Sequence, residues 1–314
     1  MARAFVFPGQ GAQVVGMGRD LALAYPAARA VFEEVDAALG ERLSALIWEG
    51  SPEALTLTKN AQPALMATSI AAMRALQAEG VGVGDAAFVA GHSLGEYSAL
   101  CAAGGMGLGD TARMLRLRGQ AMQEAVPVGV GAMAALLGLD LAAAESVAAE
   151  AAADRPGEIC EAANDNDPGQ VVVSGHLAAV ERAVEIAKAR GAKRALMLPV
   201  SAPFHCALMR PAAERMREAL AGIELAAPVV PLVANVKAAA TRDPEEIRRL
   251  LVEQVTARVR WRESVIWMAG HGVAETVEVG AGRALSGMVR RTAKQIDTKA
   301  VATPDEVRAV AREG

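Results

Sequence analysis

Apolar positions along the chain follow two patterns, short continuous runs and longer stretches in which they recur every three or four residues. The first run, residues 2–7, ends at Pro8-Gly9, which is typical of a buried strand that enters a loop. The next predicted elements are helices at residues 27–39 and 60–79, a strand at 86–90 and a helix at 108–124. Strands that alternate with helices predict a parallel sheet with helices packed on both faces.

The pattern changes after residue 127. Residues 128–199 contain short strands and two helices in the order β-α-β-β-α-β, which predicts a ferredoxin-like unit. The two middle strands of this unit flank residues 164–169, a polar stretch that favours a turn. The first pattern resumes at residue 200. We therefore predict an α/β core formed by residues 1–127 and 200–314, with residues 128–199 inserted as a ferredoxin-like subdomain.

Composition is typical of a globular protein and argues against several classes of protein. Hydrophobic residues make up 53% and charged residues 22% of the 314 residues, so a large core is expected. The net charge of −4 disfavours a general nucleic-acid-binding protein. No apolar run is long enough to span a bilayer, and the apolar start is too short for a signal peptide. Three widely spaced cysteines form no metal knuckle, so we expect a cytoplasmic protein that engages no metal, membrane or nucleic acid.

One serine stands out as a candidate nucleophile. The stretch Gly91-His92-Ser93-Leu94-Gly95 falls where a predicted strand ends and a predicted helix begins. A Gly-x-Ser-x-Gly sequence at such a junction is typical of a nucleophile elbow, which could attack an ester, a thioester or an amide. The helix N-terminus directs free N–H groups at the site, so the Leu94 amide can help hold an oxyanion. The alternative is an ordinary strand–helix turn with a helix-capping serine.

A nucleophilic serine needs a base, and the chain has four histidines. His92 adjoins Ser93 on a tight turn, which favours a packing role. His176 lies at a strand–helix turn in the insertion, and His271 lies in a loop. His205 lies where the chain leaves the insertion and re-enters the core, a natural place for a catalytic loop, so it is the best candidate by elimination.

Two arginines share the helix predicted at residues 108–124. Arg116 and Arg118 stand two positions apart and cannot share a helix face. We expect one of them to point to solvent and the other to be buried and to need an anionic partner. The spacing leaves open which of the two is buried.

Five sequence motifs together resemble one known family. The motifs, in chain order, are Phe7-Pro8-Gly9-Gln10-Gly11, Gly91-His92-Ser93-Leu94-Gly95-Glu96-Tyr97, Arg118-Gly119, Asn164-Asp165-Asn166 through Gln170-Val171-Val172-Val173-Ser174-Gly175, and His205-Cys206-Ala207-Leu208-Met209. In this order and over nearly the whole chain they resemble the malonyl-CoA:acyl carrier protein transacylases of type II fatty acid synthesis.

The resemblance implies a hydrolase-like α/β core with a ferredoxin-like insertion, and it implies roles for particular residues. The implied roles are Ser93 as the acylated nucleophile, His205 as its base, the backbone N–H groups of Gln10 and Leu94 as the oxyanion hole, Arg118 as the bidentate partner of the malonyl carboxylate, the Gln254 carbonyl as the group that orients the histidine, and His92, Met122 and Phe204 as further substrate-binding residues. It also implies a monomer that needs no bound cofactor, takes the coenzyme A thioester malonyl-CoA as substrate and has acyl carrier protein as its partner.

Two other functions stay open at this point. A serine esterase or thioesterase would use a histidine near the C-terminus, which makes His271 its base. A non-catalytic module that binds carrier proteins would have a degenerate site. Two basic clusters could attract an acidic carrier or could be solvated helix ends: Lys188, Arg190, Lys193 and Arg194 in the insertion, and Arg283, Arg290, Arg291 and Lys294 in the core.

Overall fold

The computed structural model describes residues 2–313. They form two β-sheets, each covered by helices. The strands are β1 (Ala2–Phe7), β2 (Phe88–Gly91), β3 (Gly131–Leu137), β4 (Cys160–Asp167), β5 (Gln170–His176), β6 (Arg194–Met197), β7 (Leu232–Ala234), β8 (Ala239–Thr241), β9 (Val273–Val279) and β10 (Asp297–Val301). The helices are α1 (Arg19–Ala24), α2 (Pro26–Leu39), α3 (Leu43–Glu49), α4 (Pro52–Thr56), α5 (Thr58–Ala78), α6 (Leu94–Ala102), α7 (Leu108–Glu124), α8 (Leu141–Ala153), α9 (Leu177–Ala189), α10 (Arg210–Ala221), α11 (Pro244–Glu253), α12 (Trp261–Gly270), α13 (Ala284–Thr292) and α14 (Pro304–Glu313). Two 3₁₀ turns cover Val83–Asp85 and Ala207–Met209. The first and last residues of the predicted core, 1 and 314, lie outside the described residues.

The larger sheet has the strand order β10-β9-β1-β2-β7-β8. Its first five strands run parallel, and only β8 is antiparallel, as the second strand of a hairpin with β7. The carboxyl ends of β1, β2 and β7 therefore meet at one edge of the sheet, where open α/β folds bind their ligands. The segments that leave this edge begin at Pro8, His92 and Asn235.

Strand β1 illustrates why the sheet is buried on both faces. Phe5 and Phe7 point into one hydrophobic cluster, and Ala4 and Val6 point into another on the opposite face. All four residues are fully buried, as expected of a continuous apolar run in a central parallel strand. Helices α2, α5 and α7 contribute to the first cluster, and α12 and α13 to the second. The predicted fold class, a parallel sheet flanked by helices, is confirmed.

The smaller sheet is antiparallel, with the order β4-β5-β3-β6. Helices α8 and α9 cover it and share with it a separate apolar cluster. The element order from β3 to β6 is β-α-β-β-α-β, the ferredoxin-like order expected from the sequence.

The turn predicted at residues 164–169 is mostly wrong, because β4 continues through Asp167 and only Pro168-Gly169 turns. The polar side chains of this stretch have partners in the rest of the protein. The carboxylate of Asp165, which is fully buried, accepts hydrogen bonds from Arg262, and Asp167 pairs with Arg291. These side chains are therefore polar because they pair β4 with helices of the larger sheet. A polar stretch of this kind has the same composition as a turn.

Backbone contacts also join the smaller sheet to the rest of the chain. Val259 forms an isolated parallel bridge with Asn164, so that the Asp165 N–H bonds to the Val259 carbonyl at 2.9 Å. The last strand of the smaller sheet, β6, ends at Met197, and the next residues lead to the site described below. Among the helices of residues 2–313, none has the length and apolar character needed to cross a bilayer.

Candidate active site

Ser93 lies on a sharp turn between β2 and α6. Its backbone has φ 53° and ψ −111°, a strained conformation for a residue with a side chain. The flanking glycines are required by close backbone contacts: a Cβ on Gly91 would lie 1.9 Å from the Gly95 carbonyl oxygen, and one on Gly95 would lie 2.2 Å from the Phe7 carbonyl oxygen. The turn therefore has the geometry of a nucleophile elbow, with the side chain held at the edge of the sheet.

His205 faces this serine across the edge. Its Nε2 lies 2.8 Å from Ser93 Oγ, and its Nδ1 lies 2.8 Å from the backbone carbonyl oxygen of Gln254. Because a carbonyl only accepts hydrogen bonds, Nδ1 carries the proton and Nε2 is left to accept the serine proton. Burial, together with the positive charge of Arg118, lowers the pKa of His205 to about 3, so the ring is neutral at pH 7.

Arg118 is the buried arginine of the pair on α7, and only 1% of its surface is exposed. Its Nη1 donates to Gln62 Oε1 at 2.7 Å, and its Nη2 donates to Gln254 Oε1 at 2.8 Å and to Ser93 Oγ at 3.1 Å. No carboxylate among residues 2–313 accepts a hydrogen bond from it, and its Nε has no partner there.

Arg116, by contrast, is engaged on the outer side of the helix. It donates to Glu41 and to the Lys59 carbonyl. The guanidinium at position 118 is thus a buried positive charge that donates to no carboxylate in the described part of the chain.

Two backbone N–H groups beside Ser93 are candidates for an oxyanion hole. Gln10 follows β1 and Leu94 begins α6, and both line the cavity beside Ser93. Within residues 2–313 neither N–H donates a hydrogen bond, whereas the Ser93 N–H is taken by Asn235 Oδ1 at 2.8 Å. Both N–H groups are therefore available to hold an oxyanion, the role that the family resemblance implies for them.

A cavity of about 560 Å³ opens onto the dyad formed by Ser93 and His205. Met122 and Phe204 line it with apolar surface, and His92 lines it next to the smaller sheet. The His92 Nε2 lies 2.8 Å from Asn166 Oδ1 on β4, so the ring ties the elbow to that strand. Burial lowers the pKa of His92 and keeps its ring neutral. The cavity combines a buried cation, a nucleophile and an apolar wall, which suits an acyl group that ends in a carboxylate.

The chain from residue 4 to residue 309 matches the family model described as acyl transferase domain. The chain belongs to this family. A malonyl CoA-acyl carrier protein transacylase from Escherichia coli strain K12 is 48% identical over 307 residues, which is 98% of this chain and 97% of the relative.

Solved structures agree with this membership. An acyl-carrier-protein-S-malonyltransferase from Bartonella henselae superposes with a TM-score of 0.97 at 54% identity and covers 100% of this chain and 99% of its own. A second structure, a malonyl-transacylase in complex with its type II PKS acyl-carrier protein, has a TM-score of 0.96 at 43% identity and covers 100% of both chains. The resemblance inferred from the motifs is confirmed.

The other histidines of this acyl transferase domain lie outside the dyad. His176 Nδ1 accepts the Ile159 N–H at 3.0 Å in the smaller sheet. His271 stacks on Trp267, with ring centroids 3.7 Å apart, and its Nδ1 bonds to the Trp267 carbonyl at 2.7 Å. Both rings have structural contacts that account for their positions.

The basic clusters are partly neutralised. Their ion pairs are Arg190 with Glu150, Arg283 with Glu306 and Arg291 with Asp167. Residues 2–313 contain no group of three or more histidine, cysteine or acidic side chains arranged to hold a metal ion.

Three polar residues of the site were missed as functional candidates in the sequence. Gln62 on α5 bonds to Arg118, Asn235 after β7 bonds to Ser93, and Glu96 on α6 accepts the Asn235 N–H. Of the three, only Asn235 could have been identified from the sequence, because a polar residue directly after a buried parallel strand lies at the ligand-binding edge of the sheet. Gln62 stands near the start of a long helix, and its partner is more than fifty positions away.

Proposed function

We propose that this chain transfers a malonyl group from malonyl-CoA to the phosphopantetheine thiol of acyl carrier protein and so supplies fatty acid synthesis. The observation that carries the proposal is the position of a buried arginine that donates to no carboxylate, next to an aligned Ser–His pair. A nucleophile alone would suit many acyl donors. A desolvated cation at 3.1 Å from that nucleophile selects a short acyl group with a negative end.

The first half-reaction forms an acyl-serine. Ser93 Oγ attacks the thioester carbonyl carbon while His205 Nε2 takes its proton. The carbonyl oxygen becomes an oxyanion, which the N–H groups of Gln10 and Leu94 hold. The C–S bond then breaks, and the proton on His205 passes to the departing thiolate of coenzyme A.

The second half-reaction runs the same steps in reverse with a new thiol. The carrier's phosphopantetheine thiol gives its proton to His205 and attacks the acyl-serine, and Ser93 regains its proton when the ester bond breaks. The Gln254 carbonyl at Nδ1 stabilises the imidazolium that exists between these steps, in the place where a triad would use a carboxylate.

Arg118 has the bonding capacity that the malonyl carboxylate needs. A guanidinium has five N–H groups. Bonds to Gln62, Gln254 and Ser93 occupy three of them, which leaves the remaining donors for a carboxylate. Met122, Phe204 and His92 are proposed to enclose the acyl chain from the cavity wall, and no bound cofactor is needed for any step.

We also propose acyl carrier protein as the partner and a monomer as the working state. A relative of 43% identity has been solved in complex with its carrier, which supports the first point. Residues 128–199 are proposed to be an insertion in a hydrolase-like core of residues 1–127 and 200–314. The contacts of Asp165 with Arg262 would hold the insertion against the core.

Separate alanine variants of two histidines test the proposal against an esterase. His205→Ala is expected to lower malonyl transfer by about 1,000-fold or more, because removal of a member of such a catalytic unit has effects of this size. His271→Ala is the control and is expected to transfer at the wild-type rate, since that ring stacks on Trp267. Transfer is measured with holo carrier protein as acceptor. A larger loss in His271→Ala than in His205→Ala would overturn the proposal.

A further inference from the structure

A buried glutamate lies directly beneath the nucleophile. Glu96 stands on α6, three positions after Ser93, and has no exposed surface. Its Oε2 accepts a hydrogen bond from the side-chain nitrogen of Gln254 at 2.8 Å and from the backbone N–H of Asn235 at 3.1 Å. Its Oε1 has no partner among residues 2–313. One carboxylate oxygen thus binds two residues that follow Glu96 by 139 and 158 positions in the chain.

Both linked residues hold the strained backbone of Ser93. Asn235 Oδ1 accepts the Ser93 N–H at 2.8 Å, and Asn235 Nδ2 donates to the Gly91 carbonyl at 2.6 Å. Gln254 Nε2 donates to the Ser93 carbonyl at 3.0 Å. The two side-chain amides therefore bind the backbone N–H and the backbone carbonyl of Ser93. These hydrogen bonds stabilise its strained conformation with φ 53°.

The carboxylate, together with the Ser93 carbonyl, also sets which way the Gln254 amide faces. A side-chain amide has a donor end and an acceptor end that can exchange by rotation. With Glu96 accepting from Nε2, the Oε1 end faces Arg118 Nη2 at 2.8 Å. If the amide turned over, its NH₂ would face the guanidinium, and donor would oppose donor. The backbone carbonyl of the same residue orients His205.

We infer that Glu96 is a positioning residue for acyl transfer, acting through Gln254 and Asn235 to hold Ser93 and Arg118 in their reactive arrangement. Glu96 touches neither the substrate nor the reacting atoms. The inference rests on the proposed function for its substrate, but the serine reactivity that it concerns can be measured without malonyl-CoA.

Glutamine should substitute for this glutamate. Burial raises the pKa of Glu96 to about 7, so a neutral carboxyl group is already accessible near neutral pH. A glutamine carbonyl can accept the same two hydrogen bonds. Alanine removes the acceptor altogether, and aspartate withdraws it by one methylene group while keeping the charge.

The test compares Glu96→Ala, Glu96→Asp and Glu96→Gln with the control Ser98→Ala. Ser98 is buried on the same helix, and its Oγ has no partner within residues 2–313, so its loss leaves no group unpaired. Two rates are measured: labelling of Ser93 by a neutral organophosphorus fluoridate, and malonyl transfer as separate kcat and KM values. Thermal unfolding reports whether each variant is folded.

We expect Glu96→Ala to lower the labelling rate and kcat on the order of 100-fold, because small misplacements of reacting groups have effects of this size, with a smaller change in KM. Glu96→Asp should be slowed while folded, and it decides the matter if the alanine variant does not fold. Glu96→Gln should recover most of the rate, and Ser98→Ala should match the wild type.

Two results would overturn the inference: folded Glu96→Ala or Glu96→Asp reacting at the wild-type rate, or Glu96→Gln as slow as Glu96→Ala. Failure of the proposed function looks different. In that case the wild type would be labelled by the fluoridate, with the variants in the expected order, but would transfer no malonyl group.

Discussion

Replacement of Arg118 by alanine separates recognition of the malonyl carboxylate from general catalysis. The variant removes the buried cation that lies 3.1 Å from the nucleophile. Malonyl-CoA then brings its carboxylate into a desolvated site that has no partner for it. Acetyl-CoA has no carboxylate and loses nothing at this contact, so the two substrates should respond differently.

The size of the difference follows from the burial of the guanidinium. Arg118 is 1% exposed, so water can replace it only poorly. Removing one partner of a buried, hydrogen-bonded charge pair costs about 2–5 kcal/mol. A value near 3 kcal/mol corresponds to roughly 150-fold in kcat/KM. The variant also leaves Gln62 Oε1 and Gln254 Oε1 without their donor, but that damage affects both acyl groups alike and cancels in the ratio.

The assay is therefore the ratio of kcat/KM for malonyl-CoA to that for acetyl-CoA. The ratio is expected to fall by roughly 150-fold in Arg118→Ala. Arg118→Lys should recover only part of it, because an ammonium keeps the charge but lacks the planar pair of donors. Arg116→Ala, two positions away on the same helix and bonded to Glu41, is the matched control and should leave the ratio unchanged. An equal loss for both substrates in Arg118→Ala would refute the reasoning.

Two further predictions concern the dyad and the elbow. Because the pKa of His205 is lowered to about 3, the labelling rate of Ser93 by a neutral fluoridate should stay level from pH 8 to pH 5. A histidine of ordinary pKa, about 6.5, would lose most of its base form over that interval, so a fall centred there would contradict the prediction. The measurement is made in Glu96→Gln as well, where no carboxyl near pH 7 titrates beneath the serine. Gly91→Ala should lower the free energy of unfolding in urea by about 2 kcal/mol or more, since its Cβ would meet the Gly95 carbonyl at 1.9 Å. Gly270→Ala meets nothing within 4 Å and should unfold like the wild type, and equal stability of the two variants would show that the elbow tolerates a side chain.

Much of the fold could be predicted because its signals are local. The apolar run of β1 ends at Pro8-Gly9, and the elbow glycines flank Ser93 at the end of β2. The periodicity of α7 also indicates which of its two arginines is buried. Leu115, Arg118 and Met122 follow the spacing of a buried helix face, and position 116 does not. The burial of the second arginine could therefore have been predicted.

The remainder depends on contacts between distant residues. The polar stretch 164–169 has the composition of a turn, but Asp165 and Asp167 are partners of arginines about a hundred positions later. In the same way, Asn235 meets Ser93 only because β7 lies beside β2 in the sheet. Local sequence preferences do not predict such pairings. The roles of these residues can therefore be recognised only in the folded structure.

The central claim is that Ser93 carries a malonyl group that is handed to a carrier thiol in preference to water. Intact-mass measurement after mixing with malonyl-CoA should show one malonyl adduct, and Ser93→Ala should show none. Adding holo acyl carrier protein to the isolated adduct should then discharge it much faster than buffer alone, with the malonyl group recovered on the carrier. No adduct on Ser93, or loss of the adduct at the same rate with and without carrier, would contradict the account.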